Sequence, residues 1–306
     1  MTQAAASAAT SPTSAPGTPG AAAGSSSLWG DAWRRLKANR AAMAGGSVLL
    51  LCIVAALVLP LLSPYDYYTL DWNHLYQTPA LGAGWHWLGT DALGRDLLVR
   101  VMWGCRISLL VGIVASLVTV IIGVLWGTTA GYVGGRTDGL MMRFVDVLYS
   151  VPFIPFVIVL MVLFGRELLL IFVAIGAVSW LDIARIVRGQ TLSLKSREFV
   201  EAARVSGVGG FTMILRHLVP NLIGIVIIYS TLTIPTVILF EAFLSFLGLG
   251  VQSPMTSLGS MVADGTSQMQ SYPHLLIIPA LFLAAIIYGF NYLGDGLRDA
   301  LDPRDR

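Results

Sequence analysis

Charge is the scarcest commodity in this chain: Asp, Glu, Lys and Arg together make up 12% of 306 residues, against 56% hydrophobic residues. Soluble domains carry about twice that charged fraction, and the mean hydropathy of +0.75 fits an integral membrane protein instead. Cysteine is almost absent. Cys52 and Cys105 lie in or beside different apolar runs without paired spacing, so they read as small packing residues, not as a disulfide framework or metal site. His74, His86, His217 and His274 are dispersed and form no ligand cluster. No phosphate-cradling GxxxxGK[ST] is present, nor an HExxH-like zinc motif or nucleophile–base pair. The chain is therefore expected to have no catalytic residues, cofactor or metal, and nothing in it points to nucleic acid.

Long apolar runs fill most of the remaining length. Residues 1–27 are Ala, Ser, Thr, Pro and Gly with little else, and they are expected to form a disordered tail. Residues 28–40, with two Trp and four cations, form a basic amphipathic segment suited to a membrane interface and its lipid. Six apolar runs follow, roughly 41–62, 107–133, 144–164, 168–187, 218–240 and 275–294. Crossing a bilayer takes about 20 residues, and five runs meet that length cleanly. The fourth is the doubtful one, because its uncharged part is only Leu168–Leu181 before Asp182 and Arg185; a re-entrant segment there would leave an odd number of crossings.

Charge placement tests a six-span arrangement with the N-terminus inside. Of nineteen Lys and Arg, only Arg95, Arg100, Arg106 and Arg166 then fall outside, which favours cytoplasmic placement of both termini. The outer segment 63–103 contains LGTDALGRD (88–96), where Thr90 or Asp91 is expected to cap a helix lying on the outer surface, with Leu93, Leu97 and Val101 along one side. Asp146, Asp182 and Glu241 are the acids within or beside spans, and all three fall near span ends. Snorkelling or pairing with Arg143 or Arg185 accounts for them most simply. Glu241, Pro152 and Pro235 are nevertheless candidates for a pathway or gate, since prolines in spans permit kinks; ordinary helix packing is the plainer reading.

The largest polar interruption after residue 145 is EFVEAARVSGVGGFTMILRHLVPN, 198–221. Helical spacing puts Phe199, Ala202, Ala203 and Ser206 on one face and Arg197, Glu201 and Arg204 on the other. Gly207 ends this helix, and Phe211, Ile214, Leu215 and Leu218 make a second stripe running into the next span. Such short helices are marginal alone, so a partner surface is expected to hold them.

The run Glu201-Ala202-Ala203, three residues, Gly207, nine residues and a close at Pro220 resembles the cytoplasmic coupling loop of ABC importer permeases. His217 and Val219 stand where the general pattern prefers Ile and Leu, and the His points to the oligopeptide/dipeptide branch, C-type subunit. LGTDALGRD, the outer loop 241–273 and the tail GDGLRDALDPRDR (294–306) are similar to that branch too, although Val99 and Leu258 depart from its usual Ser and Trp. The resemblance covers residues 29–306. It implies an all-α, six-span, type I ABC importer permease fold with a first transmembrane helix at 41–62, a permease domain at 104–297, a coupling loop at 196–217 and a cytoplasmic C-terminus at 298–306. It also implies that Arg197, Glu198, Glu201, Ala202, Ala203, Gly207 and Phe211 meet an ATPase. The implied partners are a second homologous permease, two ATP-binding subunits, an external substrate-binding protein and a peptide substrate, in a bacterial inner membrane. A same-family importer for nickel, an opine or a sugar stays open, as does a stand-alone secondary transporter, which would hold acidic groups nearer the midplane.

Overall fold

The computed structural model describes residues 28–80, 86–165 and 168–301; the expected disordered tail at 1–27 lies outside these, as do Trp85, Arg166 and residues 302–306. Among the described residues the regular elements are all helical. Helix α1 (Leu28–Ala38) turns into α2 (Arg40–Leu62) at Asn39, whose side chain accepts the Ala41 and Ala42 N–H groups at 3.1 and 3.2 Å. Ala32 and Leu36 of α1 pack with Ala42 and Ala300, while Trp33 stays exposed under the Lys37 ammonium.

The centre of the bundle is the parallel pair α3 (Leu97–Val133) and α6 (Leu168–Lys195). Gly123, Gly127 and Gly131 recur every fourth residue, so they form one stripe along α3. A Cβ at Gly123 would stand 2.7 Å from Ile183 Cγ2 and 3.0 Å from the Trp180 carbonyl oxygen. One at Gly131 would stand 2.8 Å from Thr191 Cβ. The two backbones thus touch along a seam that only small residues allow, as membrane helices pack where hydrophobic driving force between them is weak. Half or more of the most apolar stretch of α3 and of α6 is buried, against 22% for α2, which faces outward with Leu50, Leu51, Leu57 and Leu61.

Helix α3 differs from its expected form. It begins at Leu97 and runs for 37 residues, roughly 55 Å, well beyond the bilayer core of about 30 Å, so among the described residues no separate surface helix precedes it. Its cap is Asp96, which accepts the Val99 N–H at 2.8 Å; Thr90 and Asp91 are held in the preceding turn.

The sequence placed its doubt on the wrong span. The fourth is a continuous helix, α6, and two of its cations find partners on the preceding helix: Arg185 reaches Asp146 at 2.7 Å and Arg188 grips Asp138 at 2.5 and 2.6 Å. The third run is the broken one. It divides into α4 (Gly135–Ser150) and α5 (Phe153–Phe164), bent by 80°. Val151 precedes Pro152 and is extended, as a residue before proline tends to be, and Pro152 caps α5. At about 18 Å, α5 cannot cross alone. The bundle has five helices long and apolar enough to cross, and a sixth span if α4 and α5 count as one.

After α6 come α7 (Glu198–Val205), a turn of helix α8 (Gly210–Thr212), a π-helical stretch (Met213–Leu218) and α9 (Val219–Phe246). Pro220 has no N–H to give the turn below it, and the wider turn falls there. Pro235 is buried inside α9, which continues through it as one helix. Ser257 and Ser260 cap α10 (Leu258–Ser267) reciprocally, and α11 (His274–Leu301) returns against α2, where Gly45 and Gly289 meet.

Replacing Gly127 by Leu sets a side chain against the Arg188 N and Val187 Cβ, both 3.0 Å from the would-be Cβ. The expected loss of stability is about 1–3 kcal/mol or more, as for overpacked cores, and it is read as a lowered melting temperature of the detergent-solubilised protein. An unchanged melting temperature would show that the seam is not close-packed.

Candidate functional site

At the α6–α7 end of the bundle the polar loop is built on its own small core. Helix α7 has eight residues and is anchored by Val200, which is fully buried with Met213, Ile214 and Leu218 and flanked by Tyr132, Leu194, Ala203 and Val208. Lys195 Nζ donates to the Tyr132 carbonyl at 2.5 Å and ties the loop to the end of α3. The helix ends in a Schellman turn: the Gly207 N–H bonds to the Arg204 carbonyl at 3.0 Å and the Val208 N–H to that of Ala203 at 3.1 Å. Gly207 sits at φ +80°, the conformation this turn requires and one that side chains disfavour.

The expected faces divide differently. Ala203 turns inward against the loop's core, while Phe199, Ala202 and Ser206 point out together with Arg197, Glu198, Glu201 and Arg204. The second stripe divides too: Ile214 and Leu218 are buried, but Phe211 is 77% exposed and Leu215 is also exposed. Val205, which the sequence reading passed over, is 90% exposed. An eight-residue helix has room for one anchored edge, and Val200 occupies it. The outcome is a charged surface with four uncovered apolar side chains, Phe199, Val205, Phe211 and Leu215.

The opposite end is held by a buried ionic knot. Asp91 accepts the backbone N–H groups of Leu93 and Arg95 at 2.8 and 3.0 Å, the Arg95 guanidinium at 2.7 Å and the Arg100 guanidinium as well. Arg100 also donates to Thr256 at 3.3 Å, linking α3 to the segment before α10. Asp96 caps α3 with one oxygen and meets His86 Nδ1 at 2.8 Å with the other. LGTDALGRD is therefore a structural turn, with Gly94 at φ +73°. Burial works against ionised Asp91, but the Arg100 and Arg95 charges and the two N–H groups outweigh it and hold its carboxyl below the ordinary 3.8.

Of the three pathway candidates, the structure brings only one to a cavity. Pro152 lines a space of about 510 Å³ between the α4–α5 break, α6 and α9. Pro235 is packed inside α9. Glu241 is not at a snorkelling end but fully buried, accepting from Ser245 at 2.7 Å and Ser108 at 3.2 Å, while Ser108 in turn accepts the Leu258 N–H at 3.1 Å. It joins α3, α9 and α10. Asp182, read as a span-end residue, is midway along α6 and lines the cavity with Tyr229, Thr233 and Thr236. Those three recur at i, i+4 and i+7, a polar stripe at helical spacing in the sequence. Among the described residues no group of three or more His, Cys, Asp or Glu side chains is arranged to hold a metal.

A long two-ended bundle, with a compact loop at one end and an ionic knot at the other, matches a known class. The profile described as binding-protein-dependent transport system inner membrane component matches residues 96–306, and that for the N-terminal TM domain of oligopeptide transport permease C matches residues 27–79. The chain belongs to the family of binding-protein-dependent transport permeases. It is 55% identical to the oligopeptide transport system permease protein OppC of Haemophilus influenzae over 92% of this chain and 90% of that one. It is 54% identical to the OppC of Escherichia coli K12 over 92% of both chains, and 47% identical to the dipeptide permease DppC of Bacillus subtilis over 90% of this chain and 86% of that one. An inward-facing structure of the MetNI methionine ABC transporter shares the fold with a TM-score of 0.52 at 20% identity, over 66% of this chain and 96% of that one.

Because the Asp91 carboxyl ionises below its unfolded value, the knot contributes stability that is fully present above that value and is lost as pH falls through the folded one. Asp91→Asn is expected to cost about 3–5 kcal/mol at neutral pH by stranding two buried guanidinium groups. In melts between about pH 3 and 7, the gap between wild type and variant narrows toward the acid end. A constant gap would contradict the assignment.

Proposed function

We propose that this chain is one permease subunit of an ATP-driven peptide importer of the bacterial inner membrane, with both termini in the cytoplasm. It pairs with a second homologous permease to enclose the pathway, two ATPase subunits close on the α7 loop, and an external binding protein delivers the peptide at the Asp91 end. The observation that carries this reading is the α7 surface. Phe199, Val205, Phe211 and Leu215 are uncovered although the loop beneath them is packed, the composition of a surface that a partner covers. Glu201, on the same exposed side, offers a charge to a cation of that partner. The peptide substrate is supported by relatives that span nine-tenths of the chain and carry oligopeptide or dipeptide transport in their names, which favours it over nickel, an opine or a sugar.

Two residues separate α6 from α7, so force on the loop passes directly into the helix that lines the cavity. A stand-alone secondary transporter would be expected to hold acidic groups nearer the midplane. Membership of a binding-protein-dependent family is what argues against it now.

Glu201→Lys is expected to leave the subunit inserted and assembled while lowering ATP-driven uptake by about tenfold, the scale of reversing one interfacial charge. Gly207→Asp, at φ +80°, is expected to act in the same direction by disturbing the turn that aims Phe211. Uptake and ATP hydrolysis measured on the same vesicles check this; wild-type uptake in both variants would remove the coupling role.

A further inference from the structure

We propose that Asp182 receives the positively charged α-amino end of the peptide as it passes through the cavity. The proposal rests on the peptide-importer reading and names a recognition group within it.

Asp182 is the fifteenth residue of the 28-residue α6 and the first charged one after the uncharged run Leu168–Leu181. Among the described residues its carboxylate meets no cation and no hydrogen-bond donor. The two nearest cations on its own helix are committed elsewhere. Arg185 is paired with Asp146 and lies 4.3 Å over the Tyr149 ring, and Arg188 is clamped by both oxygens of Asp138. An unpaired acid on a membrane-spanning helix marks a pathway or a cation site by default.

Its surroundings suit a cationic amine more than a bare metal ion or a proton relay. The cavity of about 510 Å³ is of ligand size, and Asp182 is its one charged lining residue. Ser179, Thr233, Thr236 and the Tyr149 and Tyr229 rings surround it, offering hydroxyl acceptors for the amine hydrogens and aromatic surface for its charge. No second carboxylate or histidine lines the cavity to complete a metal shell. The helix ends at the break do not supply the charge: the C-terminal end of α4 and the N-terminal end of α5 meet there, and their dipoles oppose one another. The adjoining cavity of about 520 Å³ shares Tyr229 and Leu232 with this one and has Arg298 as its one charged lining residue, so that cation lines the neighbouring space and not the Asp182 chamber.

The test uses the whole complex in proteoliposomes with its ATPases and binding protein, with tetra-alanine as the probe. Cys52 and Cys105 are first replaced by Ala in the background for labelling. Asp182→Asn is expected to lower uptake by about tenfold, the worth of one charge-assisted hydrogen bond, with assembly yield unchanged, while Asp182→Glu keeps most of it. Asp182→Cys is expected to regain uptake when labelled with a sulfonatoethyl thiosulfonate, which restores a negative charge, and to stay low when labelled with the trimethylammonium analogue. Wild-type uptake in Asp182→Asn overturns the proposal. So does equal rescue by both labels, or loss in every variant, including Glu and the anionic adduct, with the complex assembled. If the wild-type complex itself fails to take up tetra-alanine or any other short peptide, the peptide-importer reading fails instead, and the two failures are distinct.

Discussion

The contact on which the rest of the molecule depends is the glycine seam between α3 and α6. Three glycines, one every fourth residue, let two backbones lie against each other where lipid gives little reason for helices to associate. With that distance set, residues far apart in sequence come within reach. Asp138 and Asp146 on α4 find Arg188 and Arg185 on α6, and Tyr132 at the end of α3 finds Lys195 at the end of α6. A wider seam would leave polar side chains without partners in or near the membrane, a costly state. The seam therefore makes it possible for α6 to carry Arg185, Arg188 and Lys195 and still be continuous.

The same helix connects the two functional regions. Helix α6 holds Asp182 at its middle and passes into α7 within two residues, while α7 is clamped to α9 through Val200, Met213 and Leu218. The α9 helix supplies the polar stripe on the other side of the cavity. A push on α7 is thus applied to both walls of one space. The break at Val151–Pro152 forms a third wall, where two short helices meet at a bend of 80°. At the far end the Asp91 knot and the buried Glu241–serine cluster brace α3, α9 and α10 against one another.

Sequence reading succeeded where the information is local. Apolar length located five of the spans, Gly207 announced the end of α7, and the scarcity of charge fixed the class. It failed where partners are distant. The expected pairing of a span acid with Arg185 is met by Asp146, 39 positions earlier, but nothing local shows that α6 stays continuous around it, so a sound helix was doubted. Continuous hydrophobicity hid the break at Pro152, although Val-Pro was there to be read as a change of direction. Glu241 was judged by its place near a span end, while its environment is made by serines from three segments. The division of α7 into an anchored and an exposed edge depended on which apolar residue the loop's own core would claim, and Val200 sits inside the helix with no local mark of that choice.

The central claim is that the uncovered apolar side chains of the α7 loop are covered by an ATPase in the membrane. It is tested most directly by placing a photo-activatable cross-linker at Phe211, irradiating native membranes and identifying the adduct by mass. The account predicts an adduct with an ATP-binding subunit, lost when ATPase subunits are omitted from expression. Adducts only with lipid, or only with a second copy of this chain, would contradict it.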